Sequence, residues 1–236
     1  MFSKSEAFYD AIYGTMKDYD QEAQQVHTLI QQHKQSPGNA LLDVACGTGK
    51  HISFFQRHYT VEGLDLDENM VALARKQNPG ALFHLADMVD FDLGHRFDAI
   101  VCLFSSIGYA KTVARLNQTL QTMRRHLAPG GVILIEPWLN PEMYTAGHLA
   151  AVFVNEPDLK IARMHKSELE DGISIMNFHY LVATPQGIEY FTESHELGLF
   201  SHEEYLNAFR VNGLEVVHDA DPEKLAGRGL YIGRLG

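Results

Sequence analysis

The segment Ala40-Leu41-Leu42-Asp43-Val44-Ala45-Cys46-Gly47-Thr48-Gly49 constrains the fold more than any other part of the chain. A short, nearly unbroken apolar run is the pattern of a strand buried on both faces of a parallel sheet. The glycines that follow place a turn where backbone can approach a ligand without a Cβ in the way. The same strand-then-helix rhythm repeats at Thr60 to Asp65 and Glu68 to Lys76, at Ala81 to Leu85, at Phe97 to Leu103 and Val113 to His126, and at Val132 to Glu136. This alternation predicts a doubly wound α/β domain. Two helices broken near Gly14 precede it.

After Pro141 the texture changes. From about Ala150 to Leu199, polar and apolar residues alternate between turn signals at Glu156-Pro157-Asp158, Asp171-Gly172 and Pro185-Gln186-Gly187, which predicts an antiparallel meander of four short strands. Ser201-His202-Glu203-Glu204 then has the form of a helix N-terminus, with Gly213 at the helix's end. Leu214 to Val217 and Gly229 to Ile232 are expected to finish the sheet as a hairpin at its edge. The expected architecture is therefore a mostly parallel seven-stranded sheet formed by 1–140 and 200–236. A small antiparallel β insertion, 141–199, lies between strand 5 and the last helix and covers the substrate site.

Composition narrows the function. The 30 acidic against 19 basic residues give a formal charge of -11, which repels a polyanion, so nucleic acid is excluded as a partner. No stretch approaches the roughly 20 apolar residues that span a bilayer, and the opening residues lack a secretory leader's pattern, so a cytoplasmic protein is expected. Cys46 and Cys102 read as reduced packing residues, and the 13 histidines are scattered without paired-ligand spacing, so no metal is expected.

In open α/β sheets a ligand sits beyond the carboxyl ends of the strands, and an acid ending the second strand can accept hydrogen bonds from both ribose hydroxyls, which assigns Asp65 to a nucleoside. A dinucleotide fits poorly: Ile52 stands where a third small residue is needed, and Asp43 would repel a pyrophosphate. S-adenosylmethionine (SAM) carries a sulfonium and an ammonium and no phosphate, so Asp43 attracts it.

At Asp43 to Gly49, Asp65 and Asp87, with Leu127-Ala128-Pro129-Gly130-Gly131 further on, the chain resembles the class I SAM-dependent methyltransferases. The resemblance implies that Asp87 and Met88 border the adenine, that Leu66 and Met70 flank it, and that the Ala45, Cys46, Gly47 and Gly49 backbone holds the methionine end. The loop after the fourth strand, Leu103 to Tyr109, is expected against the methyl group, with Phe104 on the cofactor side and Ser106 on the substrate side. It lacks an Asn-Pro-Pro-Tyr-like string and acids, which excludes a base-amine target and a magnesium-assisted reaction.

A closer resemblance is to the N,N-dimethyltransferases of nucleotide-linked amino sugars such as desosamine and mycaminose. It rests on Lys17-Asp18-Tyr19, Phe104-Ser105-Ser106-Ile107-Gly108, Glu136-Pro137-Trp138, His179-Tyr180, Glu193-Ser194-His195 and Gly227-Arg228-Gly229-Leu230. It implies that Tyr109 faces the amine and that Tyr19 closes over the methionine carboxylate; Tyr9 and Tyr13 are candidates to join it and to border the substrate, and the alternative for all three is packing of the N-terminal helices on the domain. Tyr109 is the first candidate to orient the nitrogen and Glu136 the second; the alternatives are core packing for one and a strand end for the other. Trp138 offers a face to a sugar or thymine ring, or a plug between sheet and insertion. Arg228 offers a fork to a diphosphate, or a plain salt bridge. His179, Tyr180 and His195 either reach the substrate or pair across strands. The expected function is SAM-dependent N-methylation, with N,N-dimethylation, of a dTDP-type deoxyamino sugar, in antibiotic biosynthesis. The alternatives are another small amine or hydroxyl as acceptor, and a non-catalytic SAM-binding protein. Quaternary state is left open, a homodimer included.

Overall fold

The computed structural model describes residues 4–14, 17–221, 225 and 227–236. Residues 1–3, the start of the stretch read for a leader, lie outside them. A single 3₁₀ turn at Glu6–Phe8 leads into α1 (Tyr9–Tyr13) and α2 (Tyr19–His33), and the alternation then runs β1 (Ala40–Val44), α3 (Lys50–Phe55), β2 (Thr60–Asp65), α4 (Glu68–Gln77), β3 (Leu82–Leu85), β4 (Phe97–Cys102), α5 (Val113–Arg125) and β5 (Leu127–Ile135). Four strands follow: β6 (Leu149–Glu156), β7 (Leu159–Glu170), β8 (Ile173–Thr184) and β9 (Gly187–Gly198). The chain ends with α6 (His202–Val211), β10 (Glu215–Asp219) and β11 (Leu230–Arg234).

The larger sheet has seven strands in the order β10-β11-β5-β4-β1-β2-β3. From β5 to β3 every pairing is parallel, while β11 runs antiparallel to both β5 and β10, so the expected hairpin closes one edge. The apolar β1 is central for the reason its sequence suggests: Leu41 packs into the core on one face of the sheet, and Leu42 and Val44 into the core on the other. Strand β5 begins earlier than Val132, because Leu127 already pairs with Phe97 before a register shift that absorbs the Pro129-Gly130-Gly131 turn residues.

The second sheet is an antiparallel meander in the order β6-β7-β8-β9. Its strands are longer than the expected short ones: one of 8 residues and three of 12. Unbroken period-2 alternation explains this, since Met176, Phe178, Tyr180 and Val182 face inward in step and nothing within β8 interrupts pairing. The inner face packs on Ile12 of α1, whose full burial contributes about 1.5–3 kcal/mol and fastens the N-terminal helix between the two sheets. On α6, Ser201 and Glu204 form the reciprocal capping box that the sequence predicts. No helix of the described residues is long and apolar enough to cross a membrane.

Candidate active site

A cleft of about 380 Å³ opens beyond the carboxyl ends of β1, β2 and β3. Asp65, Leu66, Met70, Asp87 and Met88 line it, with Ala45 and Gly47 at one end and Tyr9, Ser106 and Tyr109 at another. A smaller recess continues past Gly47 and is lined by Asp43, Cys46, Tyr19 and Phe104. Fourteen residues expected around a cofactor and its methyl group are thus brought together by the segments that follow β1 to β4 and by the N-terminal helices α1 and α2.

Asp65 ends β2 and accepts the Gly47 N–H at 2.8 Å on one oxygen and the Asp67 N–H at 2.9 Å on the other. Each oxygen keeps a further lone pair for a ligand hydroxyl. Burial raises its pKa against the pull of those bonds. Gly47 has φ +54° and a Cβ there would meet nothing within 4 Å, so the loop presents open space and backbone to the cleft. Asp43 is 2% exposed, and burial, with the Asp65 charge second, pushes its pKa up to about 8. Among the described residues no cation pairs with it. A buried and a half-buried carboxylate without a protein cation form a site whose missing partner is a positive charge.

At the far end Asp87 pairs with Arg115 at 3.0 Å, and Lys111 pairs with Glu196 at 2.7 Å, both ion pairs lying on the cleft wall. Ser194 and Glu196 come from β9, so the insertion supplies part of the wall. Sequence reasoning missed Lys111, Arg115, Ser194 and Glu196 as wall residues. Arg115 meets Asp87 across 28 residues without a local signal. Only the position of Lys111, two residues after Tyr109, could have drawn attention to it.

Tyr109 lies on the wall, and its hydroxyl is 2.6 Å from His195 Nδ1. His195 is 2% exposed and sits behind Tyr109, lining neither the cleft nor the recess. Tyr13 is also set back: its ring meets Phe104 at 5.2 Å and its hydroxyl accepts from Arg163 Nη1 at 2.7 Å. Tyr180 is buried in the insertion's core, stacked on Phe191 at 4.7 Å.

Other expected positions are corrected. His179 points to the opposite face of β8 from Tyr180 and bonds the Tyr190 hydroxyl at 2.6 Å, because neighbouring residues on a strand face opposite ways. Gly49 does not touch the cleft; it starts α3 at φ +76°, where a Cβ would come within 2.8 Å of Asn78 Nδ2, so it serves the packing of α3 on α4. Glu136, 1% exposed, is turned away from the cleft into a pair with Arg228 at 3.1 Å and accepts the Phe104 N–H at 2.6 Å. Trp138 and Arg228 line a separate cavity of about 320 Å³, together with His202, His218 and Tyr231. Trp138 also donates to Ser174 Oγ at 2.9 Å, so it joins the two sheets.

Glycine-rich turn, acid at the end of the second strand and buried acidic recess on this sheet define a class I SAM-dependent methyltransferase, and residues 41–131 match the methyltransferase domain family model. The chain belongs, more narrowly, to the dTDP-amino-sugar N,N-dimethyltransferases. It is 42% identical over 97% of its length to the dTDP-3-amino-3,6-dideoxy-alpha-D-glucopyranose N,N-dimethyltransferase of Streptomyces fradiae, covering 89% of that protein. It is 39% identical to the dTDP-3-amino-3,4,6-trideoxy-alpha-D-glucopyranose enzyme of Streptomyces venezuelae, over 95% of each chain. Among solved structures, Streptomyces venezuelae DesVI superposes with a TM-score of 0.91 at 38% identity, each chain wholly covered. A SAM-bound amino pentose methyltransferase of Micromonospora echinaspora superposes at 0.87 and 36%, over 100% of this chain and 98% of that one. SAM is the cofactor, and the protein is a SAM-dependent N-methyltransferase.

Proposed function

We propose that the protein transfers methyl groups, twice in succession, to the amino group of a dTDP-linked deoxyamino sugar. The observation that carries this reading is that the likeness to sugar N,N-dimethyltransferases spans 95–97% of the chain, so it includes the insertion and the substrate side as well as the cofactor domain. Bound SAM supplies a methyl group activated by the sulfonium charge. The chain's own contribution is orientation, which in favourable cases removes ~7–11 kcal/mol of a bimolecular barrier.

In this reading Asp65 holds the ribose, Asp87, Met88, Leu66 and Met70 surround the adenine, and Asp43, Ala45, Cys46, Gly47 and Tyr19 surround the methionine end, with Tyr9 above. Phe104 and Ser106 border the methyl group, and the Tyr109 hydroxyl orients the sugar nitrogen. Trp138 and Arg228 take the nucleotide arm in the second cavity. The Arg228 bonds to Glu136, Ser105 and the Pro137 carbonyl use Nη2 and Nε and leave Nη1 for a diphosphate oxygen. The segment 141–199 acts as the cover.

A homodimer and a cytoplasmic setting complete the proposal. Phe153, Met164, Leu181, Ile188 and Tyr190 crowd the exposed outer face of the second sheet, an apolar patch that a second copy would cover. The two cysteines are unpaired, in keeping with a reducing compartment.

The test is turnover. The protein is incubated with SAM and either dTDP-linked amino sugars or free amines, and S-adenosylhomocysteine and product mass are followed. Two added methyl groups on a dTDP-linked amino sugar are expected; better turnover of free amines would overturn the substrate assignment.

A further inference from the structure

Behind the cleft wall a chain of polar side chains runs inward from Tyr109 through buried protein. The Tyr109 hydroxyl is 2.6 Å from His195 Nδ1, and His195 Nε2 is 3.8 Å from Glu193 Oε2. Glu193, 5% exposed, is held in turn by three donors: the backbone N–H groups of Lys4 at 2.7 Å and Ser5 at 3.0 Å, and the Ser5 hydroxyl at 2.5 Å. Burying a carboxylate is costly unless it is compensated, and this one lies on the far side of the imidazole from the cleft. The arrangement orders phenol, imidazole and carboxylate in one line between the cleft and the N-terminal segment.

We propose that His195 receives the proton that the substrate nitrogen must lose, that the Tyr109 hydroxyl relays it, and that Glu193 stabilises the imidazolium so formed. The proposal rests on the reading of Tyr109 as the residue that faces the amine. His195 never touches the substrate and is a positioning residue acting through Tyr109. The proton balance is simple. The substrate ammonium donates an N–H to the Tyr109 oxygen while the Tyr109 O–H donates to His195 Nδ1. As the N–H and O–H bonds break and the new O–H and N–H bonds form, the nitrogen keeps its electron pair and becomes a neutral amine. Tyr109 ends neutral, as it began, and one positive charge has moved from the substrate to His195. After product leaves, the proton returns along the same path to water in the open cleft.

The surroundings support each role. Desolvation holds the His195 pKa below the usual histidine range, so at neutral pH the ring is uncharged and can accept. Burial pushes the Tyr109 phenol far up, so Tyr109 does not collect in the phenolate form and can only pass a proton on. The groups facing the pair are Glu193 from β9, which favours the imidazolium, Arg163 from β7, which opposes it, Asp65 at the end of β2, whose charge helps to keep Tyr109 protonated, and the neutral phenols of Tyr13 on α1 and Tyr180 on β8. The Phe178 ring, 5.2 Å from His195, closes the remaining side.

The test uses two variants and one spectrum. His195→Asn keeps an acceptor oxygen near the place of Nδ1 but cannot be protonated; Tyr109→Phe breaks the relay at its other end. With a dTDP-linked amino sugar at pH 7, each is expected to lose about 100-fold in kcat/KM, within the usual span for proton-transfer catalysis. The deficit should close as the pH is raised past the amine's own pKa, because the substrate then arrives neutral. SAM affinity measured by calorimetry should stay at the parent value, which also reports that the variants are folded. A deficit that is the same at every pH would mean that His195 only packs, and no deficit would mean that no relay operates. Either result overturns the proposal. Independently of any substrate, ¹⁵N-histidine spectra of the parent should show His195 with Nδ1 bare and Nε2 protonated at neutral pH, and the reverse tautomer would overturn it. If the parent methylates no dTDP-linked amino sugar, the substrate reading falls, while the spectrum still decides the relay.

Discussion

Replacing Asp43 by Asn removes the ionisable group of the buried acid in the recess. With a pKa of about 8 in the free protein, Asp43 is roughly nine-tenths protonated at pH 7. A cation brought within ~4–6 Å lowers a carboxyl pKa by about 1–3 units. SAM is such a cation, so its binding near pH 7 should release a proton from Asp43. Affinity should climb with pH and level off above about 8, with a ceiling of about 100-fold for a shift of ~2 units, equivalent to ~2.7 kcal/mol. Calorimetry in buffers of different ionisation enthalpy measures the proton count directly. The ligand's own amino group also titrates near ~8, so the quantity of interest is the difference between parent and variant. In Asp43→Asn that part of the proton release should vanish, and SAM should bind more weakly than to the parent at pH 8.5 but about equally at pH 5.5. Equal proton release by parent and variant would refute the electrostatic account of the recess. The same raised pKa has a consequence for the unbound fold. Below the unfolded value near 3.8 both states are protonated and Asp43 contributes nothing; above it only the unfolded state ionises freely, so Asp43 opposes folding increasingly up to about pH 8. Asp43→Asn should therefore raise the Tm at pH 8 and leave it nearly unchanged at pH 4.

Asp65→Ala should weaken SAM by about 1.5–3 kcal/mol per charge-assisted bond lost, read by calorimetry. It also frees the Gly47 N–H, so the loop itself should exchange its amides faster. Arg228→Ala should lower thermal stability by about 3–5 kcal/mol, because Glu136 is left buried with the Phe104 N–H as its remaining bond; adding Glu136→Gln should restore most of the loss.

The parts of the fold legible in the sequence are those with local causes. The apolar run before Gly47, the acids that end β2 and cap the turn after β3, and the capping box at Ser201 each state their role within a few residues. The alternation in the insertion has a local cause too, and taking His179 and Tyr180 together as substrate candidates overlooks it, since Tyr180 facing in requires His179 to face out. The Arg228 partners were not legible. Glu136 lies 92 residues away and Ser105 lies 123 away, and nothing near Gly227 or Gly229 signals that the guanidinium braces another loop. Similarly, β9 brings Ser194 and Glu196 to the cofactor cleft only because that edge strand passes the 3₁₀ turn at Ser106–Ala110, a matter of tertiary packing.

The bracing by Arg228 bears on both cavities. Phe104 and Ser105 both have left-handed backbone, at φ 53° and 61°, which costs a non-glycine residue about 1–3 kcal/mol. That conformation persists because it is held from behind. Glu136 accepts the Phe104 N–H, the Ser105 hydroxyl donates to the Pro137 carbonyl at 2.8 Å, and Arg228 donates to both Ser105 and Glu136. The loop's front, Phe104 and Ser106, lines the cofactor side, whereas Pro137, Trp138 and Arg228 line the second cavity. One partly buried ion pair therefore shapes a partition with, in the proposed function, a cofactor on one face and a nucleotide on the other. A substitution at Arg228 cannot act as loss of a remote diphosphate contact alone. It releases the strained loop as well, so its effect on the Michaelis constant of the sugar should come with an effect on the cofactor side. Arg228→Lys, which keeps a charge beside Glu136 but lacks the planar fork, is the better probe of diphosphate binding.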